Sequence, residues 1–430
     1  MSRYKKYKES GHVGIGEVPV HWHVKRMKHL GDAIIGLTYN PNDVIENEEG
    51  ILVLRSSNIQ EGFISFDDCV YVNKEINPTL ITRKGDILIC ARNGSAHLVG
   101  KNICIDEKSS GLTFGAFMVV FRGKYWRYLS YFFNSPIFTS QTGMFSTTTI
   151  NQLTSQTLNN LRIAYPTDGE EQNVICDYLD IQTQKIDQLI TNKKAQAEKL
   201  KELRQIEINK AVTKGLNPLA EMKDSGIDWL GEIPKHWVVK RIKNLAKQIG
   251  EKSTEILEED FLVALENIEG FTGRFIDTAS DYENNGIKFQ KNNLLYNKLR
   301  PYLNKVYLAD RDGICVGDII VIECLQQIHP AFLQFRMLSD AFCSLIMSAV
   351  YGAKMPRTSW QFISSINIGY PAIEEQIEIV EYLQQRTTAT EKLIKSIEGQ
   401  IEKLQELRKI KIYEAVTGKI KVNSYAETTA

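Results

Sequence analysis

Residues 370–417, YPAIEEQIEIVEYLQQRTTATEKLIKSIEGQIEKLQELRKIKIYEAVT, carry the pattern that decides the fold. Val380, Leu383, Thr387, Thr390, Ile394, Ile397, Ile401 and Leu404 follow one another at alternating spacings of three and four. That is the heptad rhythm of a helix with one apolar seam. The stretch has a forerunner at residues 165–213, YPTDGEEQNVICDYLDIQTQKIDQLITNKKAQAEKLKELRQIEINKAVT. Shifted by 204 positions, the seam reads Cys176, Leu179, Thr183, Ile186, Ile190, Lys193, Ala197 and Leu200. Neither seam can bury itself alone. The spacing predicts that the two helices pair, antiparallel if the halves are related by a two-fold axis, with Leu179, Ile186, Ile190 and Leu200 facing Leu383, Ile394, Ile397, Ile401 and Leu404. The polar seam positions Thr183, Lys193, Thr387 and Thr390 weaken the core but can fix register. The alternative is that each helix packs on its own globular domain. Glu170 and Glu171, like Glu374 and Glu375, sit in the first turn, where they complement the helix dipole. Roughly 40 residues at 1.5 Å each give a rod of about 60 Å, a spacer more than a core element.

A second repeat lies outside the helices. Residues 9–36, ESGHVGIGEVPVHWHVKRMKHLGDAIIG, return at 224–250 as DSGIDWLGEIPKHWVVKRIKNLAKQIG. Gly11, Gly16, Pro19, His21, Trp22, Lys25 and Arg26 become Gly226, Gly231, Pro234, His236, Trp237, Lys240 and Arg241. The chain therefore divides into four blocks: 1–164, a mixed domain; 165–215, the first repeated helix; 216–369, a second mixed domain; and 370–430, the second repeated helix and tail. Within the mixed blocks, ILVLRSSNIQEGFI (51–64) resembles FLVALENIEGFTGRFI (261–276), and KGDILICARNG (84–94) takes the place of KNNLLYNKLRPYL (291–303). Short apolar runs between turn residues predict an α+β domain with a twisted sheet in each block. The expected fold class is thus α+β, two similar domains separated by two long helices in an antiparallel coiled coil, with pseudo-two-fold symmetry.

Bulk properties exclude several classes. The 430 residues carry 52 Lys+Arg against 52 Asp+Glu, so no uniformly basic coat exists. Block 1–165 has 18 basic against 14 acidic residues, and block 216–369 has 17 against 19. A nucleic-acid surface would have to be local. No apolar run of about 18 residues suggests a membrane span, and the start, MSRYKKYKESG, does not resemble a secretory signal. Seven cysteines without a CxxC pair read as buried thiols of a reducing cytoplasm.

Catalytic motifs are missing. Gly11, Gly14 and Gly16 follow no strand and do not complete GxGxxG, and in GEKST (250–254) Glu251 parts the glycine from Lys252. Asn-Pro at 40–41, 77–78 and 217–218 never extends to the Asn-Pro-Pro-aromatic tetrapeptide that holds a target amine in adenine methylation. His21 and His23 flank Trp22, but the repeat replaces the second histidine by Val238, which favours a structural tryptophan over a metal ligand. No catalytic residue and no metal site is expected.

The loops differ between blocks while the frame repeats, and they hold the candidate DNA contacts. In the first block these are Arg92, Asn93, His97 and Lys101, then Thr147, Thr148, Thr149, Asn151 and Gln152. In the second they are Lys298, Arg300, Tyr302 and Lys305, then Lys354, Arg357, Thr358 and Ser359. Arg pairs with guanine O6/N7 and Asn or Gln with adenine, while Lys and Thr hold phosphates. The bland alternative for each is a solvated loop side chain. The shared Lys25-Arg26 and Lys240-Arg241 suit a common role, phosphate clamping or docking on the helical frame. Leu203, Ile206, Ile208, Leu407, Ile410 and Ile412 are candidate partner-docking positions, or else pack on the domains.

The stretch WLGEIPKHWVVKR (229–241), with the junctions YP…EEQ…YL (165–179, 370–383) and the endings KLxELR…AVT, resembles the specificity subunits of type I restriction–modification enzymes. The first copy lacks the Asp-Trp-Leu of positions 228–230. The resemblance spans essentially the whole chain. It implies two target recognition domains, each reading half of a bipartite site in double-stranded DNA, and helices that space them. It further implies docking of two methyltransferase subunits, with motor–nuclease restriction subunits joining through these. S-adenosylmethionine, and ATP with Mg, would then be bound by the partners and no cofactor by this chain, which would be non-catalytic and cytoplasmic. A coiled-coil scaffold without a nucleic-acid role, and a fused DNA methyltransferase, are the alternatives.

Overall fold

The structure, a computed structural model, describes residues 2–12, 14–46, 49–60, 62–143, 152–253, 256–257, 260–278, 285–350 and 355–422. The chain forms two compact units, one of residues 1–192 with 400–430 and the other of residues 193–399. Each repeated helix is continuous, Gly169–Lys214 and Ile373–Val416, and contributes residues to both units.

In the first unit the central sheet has the order Gly31–Ile35, Met118–Gly123, Ile87–Cys90, Asn102–Cys104, all antiparallel. Its two middle strands hold the continuous apolar runs ILIC and MVVF because both faces are covered there. Ile87, Ile89, Val119 and Phe121 face one core with the helices Trp126–Phe133 and Pro136–Gly143. Leu88, Cys90, Met118 and Val120 face another with Leu52, Leu54 and Phe114 of a second four-stranded sheet. The alternation follows the two-residue pleat.

The second unit repeats this plan. Its central sheet runs Ala246–Ile249, Ile319–Cys324, Leu294–Asn297, Val306–Leu308. Leu294, Tyr296, Ile320 and Ile322 face the helical side, while Leu295, Ile319 and Val321 face Val263, Phe289 and Cys315 of a second four-stranded sheet. The repeated asparagines Asn58 and Asn267 are each 1% exposed and staple the loop that follows. Asn58 Nδ2 donates to the carbonyls of Ser65 and Asp68, and Asn267 Nδ2 to those of Ile276 and Thr278.

The repeated His-Trp pair meets the repeated Glu-Glu-Gln. Trp22, fully buried, donates from Nε1 to Glu171 Oε1 at 3.0 Å, and His21 Nε2 lies 2.9 Å from Oε2. In the second unit Trp237 donates to Glu375 Oε1 at 3.0 Å and His236 Nε2 lies 2.7 Å from Oε2. One carboxylate in the first turn of each long helix thus clamps the Pro-x-His-Trp turn, which explains why two motifs distant in sequence recur together. The histidines serve this clamp, as the structural reading of the tryptophan expects.

In each unit the helix segments run antiparallel. In the first, Arg408 pairs with Asp187 at 2.9 Å, while Ile412, Ala415 and Val416 share a core with Ile175, Cys176 and Leu179. In the second, Arg386 Nε donates to Glu207 at 2.8 Å, and Ile208, Ala211 and Val212 share a core with Ile379, Val380 and Leu383. Leu179, Ile186, Leu383, Ile394 and Ile397 are buried, and Ile190, Leu200, Ile401 and Leu404 are half-buried. Both alternatives of the sequence reading are therefore combined: the helix ends pack into domain cores and also against each other. Ile208 and Ile412 go into those cores, whereas Leu203, Ile206, Leu407 and Ile410 stay exposed.

The two helix ends are capped by different chemistry. Tyr128 donates its hydroxyl to the Val416 carbonyl at 2.9 Å, and Arg336 donates Nη1 to the Val212 carbonyl at 3.1 Å. Those carbonyls lack intrahelical partners, so each donor satisfies a helix end. Arg336 is fully buried over the Trp229 ring, and burial pushes its pKa down to about 9.

Candidate nucleic-acid interface

The strand Ile87–Cys90 runs out at the same end of its sheet at which Met118 begins the neighbouring strand, since Met118 pairs with Cys90. Two candidate segments meet there, with Phe117 between them. The Phe117 carbonyl accepts the amides of Ala91 at 2.9 Å and Arg92 at 3.1 Å, Leu153 donates to the Ala91 carbonyl at 2.7 Å, and Arg92 forms a β-bridge with Gln152. Antiparallel pairing therefore joins Arg92 to Gln152, which the sequence places some sixty positions apart.

Arg92 and Gln152 are exposed, and the Arg92 guanidinium lies 5.2 Å over the Phe117 ring. Asn93 is half-buried: its Nδ2 donates to Ser56 Oγ at 3.2 Å and its Oδ1 accepts the Ser95 amide at 3.0 Å. His97 stands exposed on the turn Ala96–Leu98, and Lys101 is half-buried where the next strand starts at the same sheet end. Thr147, Thr148, Thr149 and Asn151 lie outside the described residues.

The second unit builds the same frame with other side chains. Ile319 pairs with Asn297, Lys298 donates its amide to the Asp318 carbonyl at 2.9 Å, and Leu299 forms the bridge to Arg357. Arg300 donates its amide to the Pro356 carbonyl at 2.7 Å. Asp318 thus stands where Phe117 stands in the first unit. Its carboxylate takes both Lys298, at 3.3 Å, and Arg357, at 2.9 Å, leaving a net positive charge. Arg300 and Tyr302 are exposed on either side of the buried Pro301.

Three expectations change here. Thr358 is 1% exposed, so its hydroxyl cannot reach a phosphate. Lys305 is half-buried, donates from Nζ to the Leu265 carbonyl at 2.8 Å, and has its pKa lowered by desolvation, so it is a packing residue. Ser359 caps the short helix Trp360–Ser365, its Oγ accepting the Phe362 amide at 3.2 Å. Lys354 lies outside the described residues. Sequence reading missed Phe117 and Asp318. Asp318 had a signal, a charged residue at the start of an apolar strand in VGDII, whereas Phe117 is hidden within the apolar run AFMVV.

Lys25 and Arg26 are exposed on the strand His23–Arg26, which pairs with Arg162–Tyr165. Their counterpart Lys240 reaches Gln327 Oε1 at 2.8 Å. No cluster of His, Cys, Asp and Glu able to hold a metal occurs among the described residues.

A frame built twice, with different polar side chains at one end of each central sheet, defines a class of chain with two homologous recognition modules. The model of the type I restriction modification DNA specificity domain matches residues 19–199 and 234–403, and the chain belongs to that family. The specificity subunit of the type I restriction enzyme EcoDI of Escherichia coli is 27% identical over 208 residues, 46% of this chain and 45% of that relative. The chain thus matches less than half the length of that relative. The EcoKI specificity subunit of Escherichia coli (strain K12) is 21% identical over 438 aligned positions, covering 96% of this chain and 92% of the relative. A solved structure concerned with complex assembly and conformational transition of the type I R-M system shares the fold, with a TM-score of 0.67 at 14% identity over 94% of this chain and 99% of that one. Two matches to that specificity domain take up most of the chain, and members of the family generally carry no catalysis of their own.

Proposed function

We propose that this chain reads a bipartite sequence in double-stranded DNA for a type I restriction–modification complex. Each unit's loop cluster takes one half-site, and two methyltransferase subunits dock on the chain, with motor–nuclease subunits joining through them. Methyl transfer from S-adenosylmethionine and ATP- and Mg-dependent cleavage belong to those partners, so this chain supplies no catalytic group and binds no cofactor. It works in the cytoplasm. No helix among the described residues is long and apolar enough to cross a membrane.

One observation carries the reading. The frame, its Trp–Glu clamp and its bridge recur, while the side chains on that bridge differ, the exposed Arg92 and Gln152 in one unit and the half-buried Leu299 and Arg357 in the other. Repetition of the scaffold with different side chains at that sheet end is what two readers of different sequences need. Arg, Asn and Gln supply the donors that base edges recognise. Helices of 46 and 44 residues, roughly 69 and 66 Å at 1.5 Å each, are long enough to leave base pairs unread between the halves.

The test is to map methylated bases in DNA from cells expressing the chain with its cognate methyltransferase subunits. The expected result is one motif of two short specified segments separated by a fixed run of unspecified bases. An uninterrupted motif, or methylation that ignores the presence of this chain, contradicts the proposal.

A further inference from the structure

Phe117 is 59% exposed, yet it is held in place. Its carbonyl takes two backbone amides, and the Arg92 guanidinium lies over its ring at 5.2 Å. An aromatic ring under a guanidinium leaves its N–H groups free to donate elsewhere, and among the described residues no carboxylate forms an ion pair with Arg92. The pair presents an apolar ring and a flat, two-pronged donor side by side on the face that also carries Gln152.

The major groove offers a matching pair of features. Guanine shows O6 and N7 together, which suits two parallel N–H groups, and thymine shows a methyl group, which suits an apolar ring. When the two bases are neighbours on one strand, the methyl lies beside the arginine that binds the guanine. We infer that Arg92 and Phe117 act together as a specificity-determining pair that reads a thymine next to a guanine in the half-site of the first unit. The second unit has Asp318 at the position of Phe117, tied to Lys298 and Arg357, so it offers no apolar contact there. The thymine methyl should matter in one half-site only. This inference rests on the DNA-recognition reading above.

The test starts from the mapped motif of the native complex. Duplex oligonucleotides carrying that motif are made with each thymine replaced in turn by deoxyuridine, which lacks only the methyl. Binding by the complex should fall several-fold for one replacement, at a thymine beside a guanine in one half-site. The Phe117→Ala complex should be insensitive to that replacement, and Phe117→Leu, which keeps apolar surface, should retain part of the sensitivity. Arg92→Lys should lose about ten-fold in preference for the adjacent guanine. Unchanged recognition of the other half-site shows that each variant is folded. A bipartite motif without any thymine–guanine neighbours, or deoxyuridine sensitivity that survives Phe117→Ala, overturns the inference and leaves the recognition reading standing. Absence of any two-part motif overturns the recognition reading itself.

Discussion

Arg300 holds a left-handed backbone, with φ of 50°. A side chain there costs about 1–2 kcal/mol against an ordinary helical or extended conformation, and glycine escapes that cost. Strain kept at an exposed arginine in the candidate interface is what a functional constraint produces. Arg300→Gly should therefore leave stability equal or raised by about 1 kcal/mol, while relaxing base preference in one half-site. Denaturant unfolding and methylation mapping read the two effects, and a loss of both would reassign Arg300 to the scaffold. Glu375 belongs to the scaffold already, since it receives Trp237 and His236 in the first turn of the second long helix. Glu375→Gln weakens two charge-assisted bonds and should cost about 1–3 kcal/mol. The matching loss for Glu171→Gln would show that the two clamps are equivalent, as measured by thermal unfolding.

At the scale of elements, the helices were legible because a heptad pattern depends only on local spacing. The paired domains were legible because glycines, prolines and tryptophans mark turns. Gly418 shows why such residues recur: it ends the second long helix with φ of 66°, and an added Cβ would lie 2.5 Å from Pro19 Cγ. Gly418→Ala should lower stability by about 1–2 kcal/mol, seen as an earlier thermal transition; an unchanged transition would mean that the turn relaxes freely. Ile397, 6% exposed in the seam, is the sharper test of helix pairing. Ile397→Asp should destabilise by about 3 kcal/mol and abolish two-part recognition while both central sheets stay folded, as hydrogen exchange would show. Intact recognition would count against the paired-helix spacer. The interface was less legible. Arg92 and Arg300 stood out by chemical type, but Phe117 and Asp318 reach the site only through antiparallel pairing with strands more than twenty positions earlier. Lys305 and Thr358 looked like contacts because burial by a neighbouring loop cannot be read from local composition.

For the whole molecule, the net charge of zero makes sense once the candidate contacts are confined to one sheet end in each unit. On the proposed reading, specificity resides in two separable sets of loops, and the remaining chain serves as scaffold. Exchange of residues 1–164 for the equivalent domain of another specificity subunit, followed by mapping of methylated sites in cells that carry the partner subunits, tests this most directly. The account predicts that one half of the motif changes, while the other half and the gap length stay as they were. A motif that keeps both halves, or changes both, would contradict it.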